Sequence, residues 1–448
     1  MKFRSILTVT ALILIMFMAA IETSIISLAL PTIKINLHAG NLVSLVFTVY
    51  FIALVIANPI VGELLSRFKI LYIAVAGVSL FAIGSLMSGL SETFTFLIIS
   101  RMIQGFGAGV MMSLSQIVPK LAFEIPLIYK IMGIVGSVWG ISSIIGPILG
   151  GAILEFATWH WLFFINIPIA IIAIVLVLMT FHFPEEEHGN QTHFDVKGLS
   201  IFYIFIALLM FGLLNQQHLY LNIIAIILAL LVLVGLFKIE QKQNNPFLPT
   251  NEFNRSIMLA FITDLFIAMS LIGYNLYIPV YLQEQLGLSP LQSGFVILPL
   301  SVAWIILNFN LAKIEANFTR KALYISAFTV LLICSVIILF GMKVPLLIAF
   351  SVIFAGLSFG YVYTKNSVIV QEESSPRNMK KMMSFYALTK NLGSSVGSTI
   401  MGYMYALKSG LFGTHLHNVL GLIAVISICL SMMWILFYKS NKTSNFNN

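Results

Sequence analysis

Glu22 and Asp264 are carboxylates set inside long apolar runs, whereas most other acidic residues punctuate polar breaks in the chain. A charged side chain at bilayer depth costs about 2.5–3.5 kcal/mol or more, so such residues face a partner or a water-filled cavity. Low dielectric disfavours the charged form of a carboxyl group. Each acid therefore has two readings: it takes up and releases a proton, or a buried base neutralises it. Arg101 is the base available to Glu22, and Lys390 the one available to Asp264. A lipophilic cation nearby makes the ionised carboxylate the better state, so proton and cation would compete for one group. Arg101 shares a helical face with Gln104, Gly105 and Ala108, which suits either a positioning role beside the proton site or a structural bond. Lys365 stands near the end of its apolar run and is expected to snorkel.

The second constellation is aromatic. On a helix through Asp264, the residues Ala268, Leu271 and Asn275 fall on the same face, with Tyr274 and Tyr277 nearby. Tyr50, Gln104, Trp139, Trp304 and Asn308 sit at mid-length in other apolar runs. Such side chains suit flat lipophilic cations through apolar contact and cation–π attraction, although aromatic residues also serve as ordinary lipid-facing surface. A third group, Gly146, Pro147, Gly150 and Gly151, with Gly393 and Gly397 elsewhere, has the small-xxx-small spacing that lets helices approach closely.

The elements that must position these residues are transmembrane helices. Of 448 residues, 59% are hydrophobic and 9% charged, against roughly a quarter charged in a soluble domain. Apolar runs recur along the whole chain and divide into fourteen spans. The first, from Ser5 to Leu30, is too long for a signal peptide's apolar region of roughly 7–15 residues. Residues 198–238 as one helix would be about 60 Å long, twice the hydrocarbon thickness, so a hairpin of two spans is expected there. With the N-terminus cytoplasmic, only Lys34, Lys343 and Lys408 of the 24 Lys and Arg residues fall in outside loops. Arg101, Lys365 and Lys390 lie within spans, and all the others fall inside, as the positive-inside rule requires. The net charge of +8 is thus topological and implies no nucleic-acid partner.

Short basic turns follow both the second and the tenth span, around Arg67 and Lys313. The chain then reads as a six-helix bundle over 1–183, an inserted hairpin over 198–238, a second six-helix bundle over 256–438 and a cytoplasmic tail, 439–448. Repeats of this kind place a ligand site at their interface near the membrane midplane.

Several stretches carry a family resemblance. Ile21-Glu22-Thr23-Ser24 through Pro31 resembles the first-span signature of the fourteen-helix drug:proton antiporters of the major facilitator superfamily, with glutamate for the usual aspartate. Arg101-Met102-Ile103-Gln104-Gly105 resembles the superfamily's Arg-x-x-Gln-Gly motif. Gly136, Gly140 and Gly146-Pro147-Ile148-Leu149-Gly150-Gly151 resemble the glycine-proline motif taken as the antiporter signature. Trp159-His160-Trp161 to Pro168 continues the pattern, with His160 for arginine. The loop Ser66-Arg67-Phe68-Lys69 departs from the family, lacking its acidic residue and glycine, which puts the usual latch through Arg67 in doubt.

The resemblance implies an all-α major facilitator fold and proton-coupled efflux of lipophilic, often cationic, compounds by a monomer in the cell membrane. The embedded carboxylates Glu22 and Asp264, with Arg101 tuning the first, are expected from their own placement to couple the proton, and the resemblance adds that the glycine cluster, with Lys390, serves packing and gating. A metabolite exporter or monovalent-cation exchanger of the same fold is the alternative, and a non-transporting sensor a second one. No phosphate-binding glycine loop is present, so ATP is not the direct drive. Neither enzyme chemistry nor a cofactor is implied, and His160, His193, His415 and His417 have no metal-ligand spacing. Cys334 and Cys429 lie in apolar runs and imply no disulfide.

Overall fold

The computed structural model describes residues 3–123, 127–183, 195–214, 219–243, 246, 248–375 and 378–438. Most of the stretch between the first six-helix bundle and the inserted hairpin (184–194), the hairpin turn at 215–218 and the tail from 439 lie outside them. In chain order the helices are α1 (Phe3–Asn36), α2 (Leu45–Arg67), α3 (Ile70–Gly89), α4 (Phe94–Ala122), α5 (Leu127–Phe156), α6 (Trp161–Phe164) and α7 (Asn166–Thr180). The hairpin helices α8 (Val196–Leu214) and α9 (Leu219–Glu240) follow. Then come α10 (Arg255–Ile272), a π-helical turn (Gly273–Tyr277), α11 (Ile278–Glu284), α12 (Pro290–Asn317), α13 (Arg320–Gly341), α14 (Pro345–Glu373), α15 (Met379–Ala406) and α16 (Leu416–Phe437). There is no strand among the described residues.

Apolar length makes these helices and short polar residues start them. Thr93, Asn254 and Thr319 each accept a hydrogen bond from a backbone N–H of the first turn. Ser289 and Gln292 form a reciprocal capping box at α12. Thirteen spans among the described residues are long and apolar enough to cross a membrane. They match the expected set except α15, which at 28 residues is about 42 Å long but much more polar. The reason is its position. Asn391, Ser394, Ser395, Ser398 and Thr399 are all buried, so α15 lies inside the bundle, where polar groups find partners and lipid does not reach them. Lys34, expected in a loop, instead lies in the last turn of α1, which runs on through Pro31.

The first six spans and the last six repeat one packing scheme. In the first set α1 packs on α5 and α7, α2 on α4, and α3 on α4 and α7; in the second, α10 packs on α15 and α16, α12 on α14, and α13 on α14 and α16. The two sets meet through α5 against α12 and α2 against α15. The α8–α9 hairpin leans on one of these seams: Phe202, Phe205 and Met210 cluster with Val55 of α2 and Leu388 of α15, and the Tyr203 hydroxyl donates to the Ile56 carbonyl at 2.9 Å.

The glycine cluster of α5 serves two neighbours at once. A side chain at Gly146 or Gly150 would run into Ser24 or Ile25 of α1, and one at Gly151 into Leu291 of α12. Pro147 faces Gly294 of α12, where an added Cβ would stand 2.7 Å from the Pro147 carbonyl oxygen. Gly393 and Gly397 of α15 lie instead against Leu265, Ala268 and Met269 of α10.

Candidate functional site

Two buried polar clusters lie inside the helical bundle, one in each set of six. In the first, Glu22 of α1 and Arg101 of α4 form an ion pair with no solvent exposure on either side. Arg101 also donates to the Gln104 side-chain oxygen at 2.6 Å and to the Val46 carbonyl at 3.1 Å. Its guanidinium lies 4.3 Å from the centre of the Tyr50 ring and 5.7 Å from that of Phe163. The other Glu22 oxygen accepts from Asn166 Nδ2 at 3.0 Å, and Ser85 joins Gln104 and Asn166 beneath. Arg101 Nη2 and the Tyr50 hydroxyl have no hydrogen-bond partner. Tyr50 and Gln104, expected to line a ligand pocket, thus belong to the shell of the Glu22–Arg101 pair. Asn166, Ser85 and Phe163 complete that shell; Asn166 and Phe163 lie in a motif-bearing stretch, whereas nothing in the sequence singles out Ser85.

The second cluster surrounds Asp264 of α10, which is also fully buried. The Tyr386 hydroxyl donates to its Oδ1 at 2.7 Å. Its Oδ2 makes no close hydrogen bond and faces Asn366, whose Nδ2 makes none either. Lys390 of α15 interacts with Asp264 through space but makes no ion pair with it. Its ammonium instead lies over two rings, 5.0 Å from the centre of Trp139 and 4.5 Å from that of Tyr363. Tyr363 in turn stacks on Trp304 at 5.3 Å, almost parallel. Trp139 comes from α5, Trp304 from α12 and Tyr363 from α14, so this cage straddles the seam between the two sets. Trp139, Trp304 and Lys390 remain half-buried although they sit at mid-length of their helices. Asn308, one turn from Trp304, is exposed and accepts from Thr364 at 2.9 Å.

The other expected residues lie elsewhere. Tyr274 lies in the π-helical turn, and its hydroxyl meets Ser335 at 2.9 Å within the second set. Asn275 lies in the same turn, half-buried, and is not part of the cage. Arg67 ends α2, but its side chain lies outside the described residues. Lys365 does not snorkel: it is buried, and its ammonium pairs with Glu315 of α12 at 2.8 Å. An acidic partner on a different helix is the physical reason, since it lets the ammonium stay in place.

At the end of the molecule that carries Gly40, polar contacts tie the two sets together. Lys34 of α1 pairs with Glu284 of α11 at 2.8 Å, and the Tyr405 hydroxyl donates to the same glutamate at 3.1 Å. Gln283 donates to the Leu28 carbonyl, and the Ser289 hydroxyl to Glu155. Thr48 of α2 bonds Ser398 and Thr399 of α15 at 2.7 and 3.0 Å. No cluster of potential metal ligands occurs among the described residues.

Two six-helix sets related by a repeated packing scheme, each with a buried charge cluster and with a seam between them, define a polytopic membrane protein of transporter architecture. Residues 12–398 match the model of the Major Facilitator Superfamily, and the chain belongs to that family. It is 71% identical to the multidrug efflux pump SdrM of Staphylococcus aureus (strain N315), over 99% of this chain and all of that one. It is 26% identical to the multidrug transporter protein MdtP of Bacillus subtilis (strain 168), over 90% of this chain and 76% of that one. Among solved structures, it shares the fold of a bacterial homologue of the human lysosomal transporter Spinster in an inward-facing and occupied conformation. The TM-score there is 0.72 at 13% identity, covering 97% of each chain.

Proposed function

We propose that this chain exports lipophilic, often cationic, compounds across the cell membrane in exchange for protons, working as a monomer by alternating access. Glu22 and Asp264 carry the protons, Arg101 tunes Glu22, and the half-buried cage of Trp139, Trp304 and Tyr363, with Asn308 at its edge, takes the substrate. The observation that carries this reading is the pair of buried carboxylates, one in each six-helix set, with the second beside a cationic side chain held in an aromatic cage. The names of the relatives support efflux of multiple drugs. In this reading the sets 1–183 and 256–438 move as bodies about the seam, and the hairpin 198–238 is an insertion between them. Both termini lie on the cytoplasmic side. The contacts at the Gly40 end then close the outer face of this arrangement. The α5 glycines let that seam pack tightly enough to close.

Expression in cells sensitised to dyes tests the proposal. Wild type should lower steady-state ethidium, and a protonophore should abolish the effect, because proton and voltage gradients are the only drive available to this mechanism. Energised cells that accumulate the dye like controls, with the protein present in the membrane, would favour a specific metabolite as cargo.

A further inference from the structure

The mechanism above gives Lys390 no step of its own, and its placement is unusual for a half-buried lysine. Its ammonium stands over two aromatic faces, while a carboxylate on the adjacent helix keeps an oxygen without a close hydrogen bond. Aromatic faces arranged about one cation form the kind of cage that binds quaternary ammonium ligands. Here the cage is already occupied, and its occupant is tethered to the protein.

We infer that Lys390 is a relay between the cation cage and Asp264: an incoming lipophilic cation displaces its ammonium from Trp139 and Tyr363, and the displaced ammonium pairs with Asp264. The inference rests on the export reading and deepens it. Before the cation enters, Asp264 holds a proton and Lys390 sits in the cage. Afterwards the cation sits in the cage, Lys390 faces an ionised Asp264, and one proton has left. One positive charge enters and one departs, so the site's total charge is unchanged. The landing place exists, since Asp264 Oδ2 makes no close hydrogen bond and faces only the Asn366 amide, while Oδ1 is held by Tyr386. Among the described residues, the titratable groups packed round Lys390 are Asp264 from α10, Tyr363 from α14 and Tyr386 one turn earlier on α15. From α5 and α12 come the tryptophans Trp139 and Trp304. Lys365, two residues beyond Tyr363 on α14, is held by Glu315 and does not compete for Asp264.

Trp139 comes from one six-helix set and Lys390 from the other, so the exchange also alters a contact across the seam. Removing the ammonium should open the cage to outside cations. Losing a competitor held by two rings corresponds to roughly tenfold in affinity.

The test is binding of tetraphenylphosphonium to purified full-length protein in weakly buffered detergent, with a pH-indicator dye reporting protons released. Wild type should release protons on binding. Lys390→Met should bind the cation about tenfold more tightly but release fewer protons, and Lys390→Arg should restore the release. A role confined to packing would move neither the proton count nor its rescue by arginine. Weaker or unchanged binding in Lys390→Met, or undiminished release, would overturn the relay. Should the methionine variant not fold, Asp264→Asn decides: the relay requires retained binding with release reduced, and undiminished release rejects it. Wild type that binds and transports the cation while Lys390→Met behaves identically refutes the relay alone. Wild type that neither binds nor transports any lipophilic cation refutes the export reading with it.

Discussion

Replacing Arg101 by methionine is the most demanding test of the first cluster. The guanidinium is wholly buried and bonds Glu22, the Gln104 oxygen and the Val46 carbonyl, with the Tyr50 ring beneath it. Methionine fills much of the volume but supplies no donor. Glu22 would then keep only Asn166 Nδ2, at 3.0 Å, in a site without water access. Breaking a buried pair by removing one partner costs about 3–5 kcal/mol, because a charge is left uncompensated. Removing the second charge as well, in Glu22→Gln/Arg101→Met, eliminates that penalty, and replacing a buried pair by uncharged groups is often close to neutral. The double variant should therefore be more stable than Arg101→Met by about 2 kcal/mol or more. Reversible unfolding by SDS titration in mixed micelles, applied to wild type, both single variants and the double variant, measures the four corners of the cycle. Strict additivity, or a cost for Arg101→Met below about 1 kcal/mol, would refute the claim that the pair is desolvated and mutually dependent.

Other perturbations test the remaining parts. Trp139→Ala should weaken binding of a lipophilic cation by roughly threefold to thirtyfold, the range expected of one cation–π face, as read by ethidium fluorescence. Lys34→Ala removes a partly exposed ion pair worth at most about 1 kcal/mol. It should therefore shift the closed population at the Gly40 end by no more than about fivefold, measured as faster maleimide labelling of a cysteine placed at Ser289. Gly294→Val drives a side chain into the Pro147 carbonyl and should separate α5 from α12, giving much faster labelling at the same site and loss of transport. Ser375, on the linker before α15, donates both its hydroxyl and its N–H to Glu252 on the linker before α10, holding that carboxyl below the ordinary range, with Asn378 adding a further bond. A depressed carboxyl stabilises above its unfolded value of about 4.3 and ceases to do so as pH falls through the folded one. Tryptic cleavage of the segment before α15 should thus be independent of pH from about 6 to 8 in wild type and faster in Glu252→Gln.

What the sequence made legible follows from the physics of each signal. Glu22, Arg101 and Asp264 stood out because charge is expensive in an apolar run, and Arg101 does pair with Glu22. Trp139 and Trp304 do meet at one cage, but Tyr363 and Tyr386, which complete the second cluster, were indistinguishable from other buried aromatics. The face drawn through Asp264, Leu271 and Asn275 assumes a period of 3.6 residues. The π-helical turn at Gly273–Tyr277 breaks that period, and Tyr274 meets Ser335 rather than the cage. Lys365 resembled a snorkelling residue because its partner, Glu315, is 50 positions distant. The polarity of α15 becomes intelligible only once its neighbours α2 and α10 are known.

The central claim is that proton movement through the two buried carboxylates drives export, and the direct measurement is transport in liposomes under an imposed pH gradient. Wild type should accumulate ethidium against its concentration, and Glu22→Gln and Asp264→Asn should each bind the dye but lose gradient-driven accumulation. Accumulation that persists at the wild-type rate in both variants, or a wild type indifferent to the gradient, would contradict the account.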